Sequence, residues 1–265
     1  MKHDQSLVND MELPTIVHLQ TNDQRAYSGI NELWDAEIQL KNYNQAIVNR
    51  FQGHLAGKHR ILDFGAGIGS LARIWRDSWQ VRPDCFEIDP SLRSVLEDRG
   101  FMAYSELDSL PGKYEGVYTS NVLEHIEDDV QALRSIHELL EDDAVLVIFV
   151  PAFMCLFSGM DLAVGHYRRY GQRELREKLI TAEFMVVQSC YVDSIGFFAA
   201  LALRYFGHRD GSILGNARSM GFYDRYIYPL SQLLDKLGAR FLLGKNILVV
   251  ARKKPLRVSR EGMLA

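Results

Sequence analysis

The segment ILDFGAGIGSLA, residues 61–72, decides the fold. Aliphatic residues run into the acid Asp63, three glycines follow at alternate positions, and a helix-like pattern then begins. A strand that turns tightly over glycines into a helix is how a doubly wound sheet builds a nucleotide site: the backbone can approach the ligand, and the helix start offers unpaired N–H groups. Gly65, Gly67 and Gly69 fall as G-x-G-x-G, with Ser70 where a dinucleotide fingerprint would place its third glycine. The spacing speaks against NAD, although a tight turn with no ligand gives the same trio.

Downstream, in FEIDP (86–90), Glu87 ends the next strand about 20 residues on, where an acid grips a ribose diol. Asp89 ahead of Pro90 is explained as a helix-start acid. Strands are expected over 60–64, 82–88, 101–104, 115–120, 144–150, 184–192 and 246–252, with helices over 69–77, 91–99 and 127–140 between them. Such alternation predicts a parallel sheet with right-handed crossovers. An apolar stripe over 24–55 puts helical structure ahead of the first strand. Residues 193–243 read as a helical insertion, with helices near 194–206 and 222–239, because so long a structureless connection is not expected.

The run YEGVYTSNVLEHIEDD (114–129) delivers Asn121, Leu123, Glu124 and His125 to the C-terminal edge of the sheet, where ligands bind in such folds. Taken with ILDFGAGIGSLA, FEIDPSL and AVLVIFVPAF, it resembles the class I S-adenosylmethionine-dependent methyltransferases, bacterial small-molecule subgroup, over roughly residues 25–190 plus the terminal strand. The resemblance implies an α/β, doubly wound Rossmann-like sheet of seven strands, mostly parallel with the last antiparallel. It divides the chain into N-terminal lid helices (1–56), an S-adenosylmethionine-binding domain (57–192 with 244–254), the 193–243 insertion as substrate cap or dimer surface, and a flexible tail (255–265).

The resemblance also implies roles. Gly65, Ala66, Gly67 and Gly69 would let the backbone pass the methionine part of the cofactor, and Asp63 would steady the loop and the ammonium group. Glu87 would hold the ribose hydroxyls, with Ile88 against the adenine and Ser105 or Glu106 near its edge. Asn121, with Val122 and Leu123, would lie beside the amino-acid end. LWDAEIQLKNYNQAIV (33–48) resembles the helices that precede the sheet in this subgroup, so Tyr27, Trp34, Asn42 and Tyr43 would form a lid. Aromatic faces can stabilise a sulfonium, yet aromatics at helical spacing are also ordinary core residues.

Methyl transfer needs an in-line nucleophile, and a base only when the acceptor is protonated. His125, at the cofactor edge, is a candidate base; the plainer alternative is a histidine bonded to backbone. The loop SGMDLAVGHYRRYGQREL (158–175) is dense in polar and aromatic groups and supplies a rival base, His166. Its Arg168 and Arg169 could clamp an acidic acceptor, with Tyr167 and Tyr170 beside them; a salt-bridged structural loop is the alternative. No metal is expected, because Asp161 and His166 have no third ligand at suitable spacing.

Composition sets the outer bounds. The chain has 265 residues, 47% hydrophobic, with a formal net charge of −4, so nothing favours nucleic acid as a partner. Cys85, Cys155 and Cys190 are odd in number, far apart and in apolar surroundings, which fits reduced core thiols of a cytoplasmic protein. IGFFAALAL (195–203) is too short to span a membrane and reads most simply as a core helix; a partner surface or a shallow membrane contact are the other readings. The expected activity is methylation of a small acidic or hydroxylated acceptor. A homodimer, a membrane-surface enzyme acting on lipid-linked intermediates, a non-catalytic cofactor-binding protein and an NAD-dependent oxidoreductase complete the alternatives.

Overall fold

The computed structural model describes residues 29–206 and 217–254. Helices α1 (Ile30–Gln39) and α2 (Lys41–Leu55) come first. The alternating part runs β1 (Ile61–Phe64), α3 (Ser70–Trp79), β2 (Asp84–Phe86), α4 (Pro90–Asp98), β3 (Ala103–Tyr104), β4 (Tyr114–Ser120), α5 (Asp129–Leu139) and β5 (Leu140–Pro151). Then follow α6 (Gly159–Ala163), α7 (Gln172–Thr181), β6 (Phe184–Val192), α8 (Ser194–Phe206), α9 (Ala217–Phe222), α10 (Tyr228–Lys236) and β7 (Asn246–Lys253). The seven strands form one sheet in the order β3-β2-β1-β4-β5-β7-β6, with β7 antiparallel to both neighbours and the other pairings parallel. The strand order progresses outward from β1 to β3 on one side and from β4 to β5 on the other, so a crevice opens outside the C-terminal ends of the parallel neighbours β1 and β4.

Period-two alternation deals neighbouring residues to opposite layers. Leu62, Phe64, Val117, Leu146 and Ile148 pack with Leu133 and Ile136 of α5 and Leu175 and Leu179 of α7. Ile61, Tyr118, Val145, Val147 and Phe149 pack with Phe51 and Leu55 of α2 and Trp75 of α3. Strand β5 is therefore buried on both faces from Ala144 to Pro151, which explains why it reads as an unbroken apolar run.

The departures from expectation are local. The 24–55 stripe breaks at Leu40 (φ −108°, ψ 47°), and Leu40 gives α2 no side-chain cap. The cap comes from a residue about 180 positions away: the Asp224 carboxylate accepts from Asn42 N (3.0 Å) and Tyr43 N (2.8 Å). Asp224 sits in a π turn, Tyr223–Ile227, that splits the expected 222–239 helix. The insertion caps α8 as well, because Asp235 accepts from Asp193 N and Ser194 N and Ser231 Oγ accepts from Ile195 N. Helix α8 is not a core helix: Phe198, Leu203 and Tyr205 are exposed. Cys85 and Cys190 are buried thiols, but Cys155 is exposed on a short 3-10 turn, Met154–Leu156. Among the described residues no helix is long and apolar enough to cross a membrane.

Candidate active site

At the end of β1, Gly65, Gly67 and Gly69 adopt φ of +79°, +55° and +78°, a region that costs an L-residue about 1–2 kcal/mol. Two of the three also have no room for a side chain. A Cβ on Gly65 would press into the Val122 methyls, 2.7 Å from Cγ1, and one on Gly69 would lie 2.6 Å from Leu96 Cδ2. Gly69 thus performs the close-packing task of a fingerprint's third glycine one position early. The loop is tied to β2 by Gly65 N and Ala66 N, which donate to Phe86 O at 2.8 and 3.1 Å, and by Gly67 N, which donates to Glu87 Oε2 at 2.8 Å. Glu87 is 7% exposed, and its other oxygen accepts from Asp89 N at 3.0 Å. Burial raises the Glu87 carboxyl above its ordinary value despite these donors. A carboxylate has about four lone-pair sites, so two backbone bonds leave capacity for a diol.

Asp63 lies beneath the loop, buried, and accepts from Tyr118 OH at 2.9 Å. Burial pushes its carboxyl up to about 7, against the lowering effect of that hydrogen bond. Above the loop, Leu33 Cδ1 lies 3.5 Å from where a Cβ on Gly67 would be. Helix α1 is latched there through Glu37, which accepts from Ser70 Oγ (2.5 Å) and pairs with Arg73 (3.1 Å) and Arg99 (2.8 Å), while the Arg99 guanidinium covers the Trp34 ring at 4.9 Å. Three left-handed glycines, a buried strand-end acid with spare acceptor capacity and a covering helix fit an adenosyl amino-acid cofactor.

The second half of the site follows β4. Asn121 takes φ +53° and is exposed, Val122 lies on the glycine loop, and Leu123–His125 form a 3-10 turn. Glu124 has 0% exposure, and neither of its oxygens has a hydrogen-bond partner; burial pushes its carboxyl up to about 8. Its backbone carbonyl accepts from Tyr167 N at 2.8 Å, which ties the turn to the 158–171 loop. In that loop His166 Nδ1 lies 2.8 Å from Asp161 Oδ1, an oxygen that Arg169 Nε also reaches at 2.8 Å. Burial alone would raise Asp161, but the hydrogen bonds from His166 and Arg169 outweigh it and hold the carboxyl at about 2. An ionised Asp161 fixes the proton on Nδ1 and turns Nε2 inward, 3.9 Å from Glu124 Oε1. The His125 ring meets His166 edge to face with centroids 4.5 Å apart. Burial, reinforced by His166, lowers His125 to about 4, and its imidazole bonds the backbone of Val164 and Gly165.

A methyltransferase-domain family model matches residues 36–189, more than half of the chain. The chain belongs to that methyltransferase family. No curated protein matches the sequence significantly. Similar solved structures include a SAM-dependent methyltransferase from Archaeoglobus fulgidus, 17% identical with TM-score 0.54, the match covering 79% of this chain and 92% of that one. Another is a SAM-dependent methyltransferase from Thermotoga maritima, 12% identical with TM-score 0.56 over 85% and 96% of the two chains. A third is the 1,6-didemethyltoxoflavin-N1-methyltransferase of Burkholderia thailandensis, 19% identical with TM-score 0.50 over 86% and 84%. The enzyme is therefore a class I methyltransferase in fold, and S-adenosylmethionine is the cofactor that fold implies.

Several expected site residues of the methyltransferase stand elsewhere. Tyr43 is not a lid residue: its ring packs on Phe149 and Tyr228, and its hydroxyl accepts from Asn246 Nδ2 at 2.5 Å. Asn42 contributes to the α2 cap through Asp224, and Tyr27 lies outside the described residues. The Leu123 side chain is wholly in the core, so only its backbone faces the edge. Ile88, Ser105 and Glu106, by contrast, are exposed beyond the ends of β2 and β3, accessible to a ligand as the resemblance implies. The arginine clamp is not built as expected. Arg168 pairs with buried Asp129 at 2.7 Å, and the Tyr170 hydroxyl, fully buried, donates to the same carboxylate at 2.7 Å. Arg169 serves Asp161, with Nη1 left buried and unpartnered, and Tyr167 alone of the four is exposed. A buried carboxylate needs compensating donors, and Asp129 and Asp161 recruit the arginines for that purpose.

Among the described residues Asp161 and His166 gain no third ligand, but His166 stands in a different grouping. Ligand atoms of Glu124, His125 and His166 all lie within 4.8 Å of one another. Glu124 was placed at the sheet edge from the sequence, but its complete burial without a hydrogen-bond partner leaves no trace there. Glu37, Tyr118 and Asp224 were missed because each acts on a partner dozens to nearly two hundred residues away. The cavity of about 330 Å³ between α2 and β6, lined by Arg50, His54, Gln188 and Arg240, contains no glycine-loop residue.

Proposed function

We propose that this methyltransferase methylates a hydroxyl group of a small molecule. The observation that carries the reading is the join of the two halves at Val122, which presses on Gly65 and lies two residues from Glu124. That junction supports a role for the polar cluster Glu124, His125 and His166 at the acceptor end of the cofactor loop. S-adenosylmethionine, when bound, supplies an electrophilic methyl group on a sulfonium. Gly65, Gly67 and Gly69 would admit its amino-acid part, Asp63 would favour its ammonium group, and Glu87 would hold the ribose hydroxyls.

A hydroxyl acceptor must lose its proton, and the buried acid–imidazole cluster is where the chain can favour that loss. A carboxylate acceptor is disfavoured, since it would meet Glu124 and Asp161 while Arg168 is spent on Asp129. His125 is not the proton acceptor in this reading, because burial makes its imidazole a weak base and its ring is bonded to the backbone of Val164 and Gly165. The separate, buried thiols Cys85 and Cys190 support a reducing, cytoplasmic setting.

Calorimetric titration with S-adenosylhomocysteine, with NAD in parallel and Glu87→Ala as control, tests the cofactor half. Binding of the thioether alone, weakened by the substitution, is the expected result. Methyl transfer to a panel of phenols and alcohols over matched carboxylates then tests the acceptor class; turnover on carboxylates alone overturns it. A second reading rests on exposed Phe198, Phe222, Tyr226, Leu233 and Leu237 of the insertion, which suit a membrane-surface enzyme acting on a lipid-linked hydroxyl. Co-sedimentation with anionic liposomes tests that, and no pelleting removes it.

A further inference from the structure

We infer that Glu124, His125 and His166 form a binding site for one borderline divalent metal ion of the zinc, cobalt, manganese or iron(II) type. The three side chains come from two segments, the turn after β4 and the loop after α6, and converge with their ligand atoms within 4.8 Å of one another. An ion bound at about 2.0–2.2 Å needs donors roughly 3–3.5 Å apart. His166 Nε2 and Glu124 Oε1 stand 3.9 Å apart and all the ligand atoms lie within 4.8 Å, so side-chain torsions closing gaps of about an ångström complete the set.

Glu124 supplies the independent observation. It is fully buried with both oxygens unpartnered, a state that costs a carboxyl group several kcal/mol unless something else satisfies it. Across the gap, Oε1 stands 3.9 Å from His166 Nε2, too far for a hydrogen bond and a separation that an ion held between the two would bridge.

The groups behind the ligands are arranged as metal-bound histidines require. His166 Nδ1 is bonded to Asp161, itself held by Arg169 Nε and by Ser158 N at 2.9 Å, so Nε2 is the atom left to ligate. His125 is anchored to the backbone of Val164 and Gly165, which orients the ring. Two imidazoles and one carboxylate suit zinc, cobalt, manganese or iron(II) better than magnesium or calcium, and three protein ligands leave coordination positions open. Val122, two residues before Glu124, packs against Gly65 of the glycine loop, so an ion here could take an acceptor oxygen near the methyl donor. This deepens the hydroxyl-acceptor reading, but the ion site itself requires neither that acceptor nor the cofactor.

The test uses the full chain, freed of metal with a chelator and titrated with cobalt(II) and zinc(II) in the absence of cofactor. The expected result is one ion per chain, a cobalt absorption spectrum of nitrogen and oxygen ligation, and a metal-dependent rise in the thermal midpoint. Glu124→Gln, nearly isosteric, should weaken the ion at least tenfold and abolish the rise, and His166→Ala should do the same. The metal-free Glu124→Gln chain should melt no lower than the native one, because a neutral amide replaces a buried, unpartnered acid. Absence of a stoichiometric ion in the native chain, or equal binding by native and Glu124→Gln chains, overturns the proposal. If His166→Ala fails to fold, the Glu124→Gln comparison decides alone. S-adenosylhomocysteine affinity of the metal-free native chain is read separately, so failure of the cofactor reading and failure of the metal site give different results.

Discussion

Replacing Asp63 with asparagine isolates the electrostatic cost of the cofactor loop. Its carboxyl stands at about 7 in the fold against an ordinary 3.8, because burial outweighs the hydrogen bond from Tyr118. The folded state therefore binds the proton more tightly than the unfolded one, and stability falls as pH rises from about 4 to about 7. At about 1.4 kcal/mol per pH unit the whole penalty is about 4 kcal/mol, of which about 2.5 kcal/mol falls between pH 5 and pH 8. The substituted amide would carry no charge and would still accept from Tyr118 through its carbonyl. The assay is urea unfolding of native and Asp63→Asn chains at pH 5, 6, 7 and 8, read as the difference between the two. Other groups titrate in both chains and cancel. The difference should move by about 2–3 kcal/mol in favour of the variant as pH rises. A flat difference across that window would refute the reasoning, since it would mean that Asp63 is ionised and solvated at pH 5. The same logic extends to the ligand: an ammonium group beside Asp63 favours its charged form. Binding of S-adenosylhomocysteine at pH 6 should then release a proton, seen as a buffer-dependent enthalpy in the native chain and lost in the variant.

Three other outcomes follow from the contacts. Glu87→Gln leaves one of the two backbone donors, Gly67 N or Asp89 N, facing an amide nitrogen; at about 2 kcal/mol for a charged hydrogen bond, S-adenosylhomocysteine affinity should fall about thirtyfold by calorimetry, and an unchanged Kd removes Glu87 from the site. Gly65→Ala meets both a left-handed backbone and the Val122 methyls; it should destabilise the chain by about 2 kcal/mol or more, with Val122→Ala restoring part of the loss in a double-mutant cycle, and strict additivity would show that the two do not touch. Tyr170→Phe removes a donor from Asp129 while Arg168 and Lys178 remain; chemical denaturation should report a loss of about 1–2 kcal/mol with cofactor affinity unchanged, and altered cofactor or acceptor affinity would return Tyr170 to the acceptor site.

Local chemistry made the glycine loop legible. Glycines at alternate positions after an aliphatic strand specify a turn that few other residues can adopt, and Glu87 at the end of the next strand lies within reach because adjacent parallel strands are one crossover apart. The arginine pair of the 158–175 loop shows the opposite case. Nothing in RRY tells that Arg168 answers an acid 39 residues earlier, since a charge pair across two loops leaves no periodic trace. Tyr43 misled for a related reason: an aromatic on a helix before the sheet is equally able to cover a ligand or fill a core, and its partners Phe149, Tyr228 and Asn246 arrive from three distant segments.

By itself, then, the sequence determined the alternating α/β plan and the glycine turn after the first strand, because strand periodicity and glycine conformation act over a few residues, while the antiparallel last strand was implied by family resemblance. Only the tertiary structure decided that Leu40 breaks the leading helix, that Asp224 caps its second half, and that α8 shows an apolar face to solvent. It alone placed Glu124, unpartnered and dry, against two histidines from separate segments. Burial and pairing are properties of the whole packed chain, and a carboxylate reads the same in sequence whether it faces water or an imidazole.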